Sequence, residues 1–155
     1  MKILHALAMS IALLVGVWVY LSVGNPSLGF NPWIGFVAWA AFFAAGGGTS
    51  GLGKALTGGI AGILLTAITL AGVQFMGGGL MSLIVLVTVL AFVLVAMADI
   101  PALSYTPAAF LGAASFFGSG GKIDVSIGFV VLTWVVGLVF GFASEFAGKK
   151  IARPI

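Results

Sequence analysis

The sequence predicts an all-α polytopic membrane protein of about six transmembrane segments, arranged as two three-segment inverted repeats whose second and fifth segments are short or broken. Three observations predict it. Hydrophobic residues make up 62% of the 155 positions and charged ones only 6%, with a mean hydropathy of +1.31, too little polar surface to cover a water-soluble globule. Apolar runs recur at about Ala6–Val23, Trp33–Ala45, Ala55–Met76, Leu80–Met97, Pro107–Phe117 and Val125–Phe146. Finally, the stretch from Trp33 to Gly47 reappears 74 positions later, so that Phe36 falls on Phe110, Phe42-Phe43 on Phe116-Phe117 and Gly46-Gly47 on Gly120-Gly121. The chain reads as a single membrane domain, 1–155, written twice, as repeat 1 over about 1–76 and repeat 2 over about 77–155.

Each run has its own justification. The first follows Met1-Lys2-Ile3-Leu4-His5. It is longer than the apolar core of a secretory signal and lacks a small-x-small cleavage site, so it is expected to be a membrane helix. The second and fifth runs are too short to cross a ~30 Å hydrocarbon core, which takes roughly 20 helical residues. Each follows an apolar, proline-bearing segment, 24–31 and 100–106. At ~3.3 Å per residue, an extended segment of that length carries the chain to mid-membrane, so these elements are expected to cross as a non-helical half followed by a helical half. The third, fourth and sixth runs are long enough alone. Gly46-Gly47-Gly48, and Gly118 with Gly120-Gly121, permit the tight turn each repeat needs before its third helix. The pairs Gly58/Gly62 and Gly137/Gly141 let helices approach closely, either between the copies or between protomers.

If all six segments cross, both termini face one side, with Lys2, Lys54, Lys149, Lys150 and Arg153 there and only Lys122 opposite. If the short segments re-enter instead, Lys54 changes side and the asymmetry weakens. The positive-inside rule favours six crossings with the N- and C-termini cytoplasmic.

The starts of the short helices are the sharpest local signals. Asn31-Pro32 and Thr106-Pro107 each offer a side-chain acceptor for the N-cap and proline for N1. In an inverted repeat, the two positive helix ends are expected to face each other near the midplane, repelling cations and offering N–H donors to a neutral or anionic solute. Phe36, Trp39 and Phe43 fall at helical spacing, and with Phe110 and Phe117 of the second copy they are candidates for an apolar ring around a pore. The plainer reading makes the starts ordinary caps at the membrane surface and the aromatics packing or lipid-facing residues.

The remaining inventory excludes several classes. Glu145 has Lys149 at i+4, the spacing of an interfacial salt bridge, and Asp99, Lys122 and Asp124 read as solvated loop charges. His5 is the one histidine and cysteine is absent, so neither a metal site nor a disulfide is expected. Thr49-Ser50-Gly51-Leu52-Gly53-Lys54 leads to Ala55, not to the Ser or Thr of a phosphate-binding loop. No nucleophile, base and orienter can be assembled, so no enzyme and no cofactor are expected. No basic stripe points to nucleic acid.

Trp33-Ile34-Gly35-Phe36 through Gly46-Gly47, Leu103-Ser104-Tyr105-Thr106-Pro107-Ala108-Ala109-Phe110-Leu111-Gly112-Ala113 and Gly137-Leu138-Val139-Phe140-Gly141 together resemble the YcdZ-like family of small bacterial inner-membrane proteins, a domain of unknown function. The resemblance implies a compact protein of about six helices in the bacterial inner (cytoplasmic) membrane, and it brings no functional residues with it. The paired starts are also similar in architecture to the Asn-Pro half-helices of aquaporins, although this chain lacks Asn-Pro-Ala and is much shorter. The expected function is therefore a small channel or facilitator for a small polar solute, neutral or anionic, working in the lipid bilayer as a homo-oligomer. The scarcity of titratable groups argues against proton coupling. The competing expectation is a non-transporting membrane scaffold or a subunit of a larger membrane complex.

Overall fold

The computed structural model describes residues 2–152, so Arg153 of the terminal basic cluster lies outside the described residues. The described chain is helical throughout, with no strand: α1 (Ile3–Ser22), α2 (Pro32–Ala44), α3 (Gly48–Phe75), α4 (Leu80–Ala96), α5 (Thr106–Gly118) and α6 (Ser126–Ile151). Four spans are long and apolar enough to cross a membrane: α1, α3, α4 with the 3-10 turn that extends it to Asp99, and α6. The two 13-residue helices α2 and α5 are the short exceptions, each entered through a 3-10 turn, Pro26–Leu28 and Pro101–Leu103. Those turns replace the extended entry expected from the sequence, because proline opens a turn as readily as it extends a chain.

Contacts fix the direction of every helix. Leu7 and Ser10 of α1 meet Gly148 and Ser144 near the end of α6, so both described chain ends lie at the same end of the bundle. Trp18 packs on Gly35, Gly35 and Phe42 run alongside Gly137 and Gly141, and Tyr105, Ala109 and Gly121 meet Gly58, Gly62 and Leu70 in turn. Consecutive helices therefore alternate in direction, α2 runs parallel to α6, and α5 runs parallel to α3. Each of the other helices packs most extensively on one of the two longest, α1 and α2 on α6, α4 and α5 on α3, while α3 and α6 also pack on each other. Each three-helix group thus takes its long helix from the other half of the sequence.

Burial repeats with the sequence. The six buried residues of α2 (Ile34, Gly35, Ala38, Trp39, Ala41, Phe42) and the six of α5 (Ala108, Ala109, Gly112, Ala113, Ser115, Phe116) correspond one to one at a separation of 74. Between α3 and α6 the separation becomes 75, pairing Ala55 with Val130, Gly59 with Trp134, Gly62 with Gly137 and Ile63 with Leu138.

Small residues close the seam between α3 and α5 within one group, and a glycine of α3 also seats a ring of α6 from the other. A Cβ added at Gly62 would stand 2.0 Å from the Ala109 carbonyl oxygen, one at Gly112 would stand 2.1 Å from that of Gly59, and one at Gly59 would enter the Trp134 indole at 2.1 Å. With lipid on the outside there is little hydrophobic drive for helices to associate, so close backbone contact of this kind supplies much of the cohesion. The Trp134 indole N–H donates to the Ala55 carbonyl at 3.1 Å, satisfying the one polar atom that the crossing of α3 and α6 buries on that ring.

Candidate functional site

The two short helices start below the ends of the long ones. Asn31 lies beside Thr133, about two turns into α6, and Tyr105 and Ala108 lie beside Gly58, about three turns into α3. A threonine on the long helix pins each entry. Thr133 Oγ1 accepts from the Asn31 backbone N–H at 3.3 Å, and Thr57 Oγ1 donates to the Ala102 carbonyl. Asn31 holds the N-cap position with Pro32 at N1, but its side chain does not cap, and its Oδ1 is buried without a partner. The N–H groups of the first turn consequently remain open. At the second start the helix begins one residue earlier than the sequence suggests: Thr106 is its first residue, Tyr105 is the N-cap, and Pro107 is the second residue.

Both starts sit at the level where α3 and α6 cross, because Thr133 adjoins Trp134, whose ring packs on Gly59, the neighbour of the Gly58 that Tyr105 touches. The Trp33 ring, near the start of α2, also reaches Gly118, the last residue of the antiparallel α5.

The aromatic candidates line two grooves on the outer surface. Phe36, Trp39 and Phe43, with Ile11, Val15 and Ala40, form an apolar groove of about 210 Å³ between α1 and α2. Phe110 and Phe117, with Val87, Leu90, Ala91, Leu94, Ala113 and Ala114, form one of about 230 Å³ between α4 and α5. The four residues that α2 gives to the first groove, Phe36, Trp39, Ala40 and Phe43, have counterparts in the second at the separation of 74. Phe36 and Phe110 are 41% and 43% exposed, which places them on the outside of the bundle. Trp39 is buried, its indole N–H donating to Ser144 Oγ at 3.1 Å. The structure thus brings Phe36, Trp39 and Phe43 onto one face and Phe110 and Phe117 onto the matching face, with neither Asn31 nor Thr106 lining the grooves.

Polar groups that sequence reasoning missed gather on the α1/α2/α6 side. Ser10 Oγ donates to the Ser144 carbonyl at 2.8 Å, and the Trp18 indole N–H donates to the Pro32 carbonyl at 2.9 Å. The Trp18 ring packs edge-on to Phe140 at 5.6 Å. Nearer the end of α6, the Glu145–Lys149 pair expected from its spacing forms at 2.5 Å. Its other oxygen has a partner the sequence did not suggest, the Gly48 backbone N–H, which donates to Oε2 at 2.6 Å. Thr133, Ser144 and Ser10 carried no signal of their own, since isolated hydroxyls are common in membrane helices and usually bond one turn back, as Thr133 also does to Phe129. Among the described residues, no three His, Cys, Asp or Glu side chains come together.

Fold and site define a membrane-type helical protein with four long apolar spans, two short sunken helices and a polar edge along α6. The chain belongs to a family of proteins of unknown function (DUF1097), whose model matches residues 8–149. No curated protein and no solved structure matches it.

Proposed function

We propose that this chain is a small membrane facilitator in which all six helices cross, as two three-helix repeats of opposite orientation, and that a small neutral or anionic solute engages the sunken start of α2. The reading places the protein in the bacterial inner membrane with both termini cytoplasmic, where Lys2, Lys54, Lys149 and Lys150 would share one face. The single observation that carries it is the residue-for-residue recurrence of burial in α2 and α5 together with the alternating helix directions. Inverted repeats with interrupted helices recur among membrane transport proteins, where helix starts receive polar or anionic groups. Asn31 supplies the local chemistry. Its partnerless Oδ1 accepts a solute donor, and the uncapped N–H groups of the first turn of α2 donate to a solute oxygen. Because the three-helix groups meet through the Trp134 ring seated on Gly59 and the Trp33 ring on Gly118, passage requires the groups to move relative to each other, or a path between the protomers of a homo-oligomer.

Stopped-flow light scattering on proteoliposomes, challenged with water, glycerol, urea and formate gradients, tests this. Solute entry above empty liposomes, lost in a folded Asn31→Leu variant, is expected. Rates equal to protein-free controls for all four solutes refute it. The tight glycine contacts of α3 with α5 and of α2 with α6 also favour a second reading, a non-transporting scaffold or complex subunit, which would give that negative result with the fold intact.

A further inference from the structure

We propose that the Gly46–Gly48 turn is the hinge between the two three-helix groups and that Glu145 is the latch holding it closed at the face where the chain ends lie. Its use as a gate rests on the facilitator reading, whereas the latch itself does not.

The turn is the short link by which the chain leaves the α1/α2/α6 group and enters the α3/α4/α5 group. Its three successive glycines have φ of +99°, +67° and +61°, a run of left-handed conformations that side chains rarely adopt. Glu145, on α6, grips this link from the first group. Its Oε2 accepts from the N–H of Gly48, the first residue of α3, and a Cβ on Gly47 would stand 2.9 Å from Oε1. The carboxylate therefore sits on the positive end of a 28-residue helix that belongs to the other group, while Lys149 neutralises its second oxygen. A pocket of about 240 Å³, lined by Gly48, Thr49, Phe142, Glu145, Phe146 and Lys149, opens beside the contact, leaving space for the turn to move into.

The repeat supplies an internal control. The counterpart of Glu145 at the separation of 75 is Leu70, and Leu70 packs on Gly121, the counterpart of Gly47. The same joint at the opposite face is thus closed by an apolar contact and followed by a longer link, 119–125. A charge-assisted brace exists at one end of the bundle only, so the two faces differ in what must break for the groups to part.

The test uses double electron–electron resonance on the full chain in liposomes, helped by the absence of native cysteine. Spin labels at Ser50→Cys and Lys150→Cys report across the joint, and labels at His5→Cys and Lys150→Cys report within the α1/α2/α6 group. In a Glu145→Ala background the first distance is expected to lengthen by about 5 Å, one helical turn, while the second stays fixed. Glu145→Gln keeps an acceptor for the Gly48 N–H and is expected to hold the first distance near that of the parent. If Glu145→Ala fails to fold, Gly47→Ala, which crowds the carboxylate off the turn, takes its place. A first distance unchanged in the substituted protein, or one that changes together with the His5–Lys150 distance, overturns the proposal. Flux enters neither measurement, so an absence of transport would count against the facilitator reading and leave the latch standing.

Discussion

Replacing Gly62 by alanine tests the glycine seam between α3 and α5 most sharply. The added methyl would lie 2.0 Å from the Ala109 carbonyl oxygen and 3.0 Å from the Ala113 nitrogen, against an ordinary contact that begins near 3.4 Å. The obstacle is backbone, so no rotamer relieves it, and α3 and α5 must separate by roughly 1 Å. Overpacking costs about 1–3 kcal/mol, and a clash with rigid backbone belongs at the upper end. Against that stands a gain of up to ~1 kcal/mol in helix propensity. The net expectation is a loss of about 2 kcal/mol. Gly53 lies on the same helix, exposed and with nothing within 4 Å of its added Cβ, so Gly53→Ala is expected to stabilise by up to ~1 kcal/mol. Equilibrium unfolding in mixed micelles, read by helix content, gives both values. If Gly62→Ala proves as stable as Gly53→Ala, the seam is not closed as described.

Three further expectations follow from single contacts. Thr133→Val keeps the shape but removes the acceptor of the Asn31 N–H, costing about 1–3 kcal/mol in the same unfolding assay and lowering solute entry in liposomes. Trp39→Phe removes the indole donor to Ser144 and exchanges the larger ring for a smaller one in a buried site, a loss of about 1–3 kcal/mol with the fold retained by circular dichroism. Asp124, in the link before α6, has its carboxyl held below the usual aspartate range first by the side-chain hydrogen bond with Ser126, helped by the Ser126 N–H and by Lys122. A depressed folded value stabilises above the unfolded value and loses that contribution as pH falls through the folded one, so a small melting-temperature advantage over Asp124→Asn is expected near neutrality and should vanish in acid below the ordinary aspartate range.

The fold class was legible because hydropathy and helix length are local properties, and the doubled Phe-Phe and Gly-Gly marks already carried the separation of 74. The change to 75 in the long helices was hidden by the unequal links after α2 and α5, which shift the register of the burial pattern between the repeats. Gly62 and Gly137 were readable as sites of close approach. Their partners, Ala109 and Gly35, were not, because a small-residue motif states how near a helix can come and nothing about which helix comes. The spacing of Phe36, Trp39 and Phe43 correctly placed them on one face. Whether that face looked inward depended on how α1 and α6 pack against α2, which buries Trp39 and leaves Phe36 exposed. Asn31–Thr133 and Trp39–Ser144 join residues 102 and 105 positions apart, and no local pattern reports such a pair.

The arrangement of six crossings in two opposed repeats is tested most directly by single cysteines in the otherwise cysteine-free chain, labelled from one side of sealed vesicles with a membrane-impermeant maleimide. Cysteines at Ser50, Ser104 and Lys150 are predicted to label from one face, and those at Ser27 and Lys122 from the other. If the Ser50 position labels together with Ser27 and Lys122, α2 turns back within the bilayer and the account is contradicted.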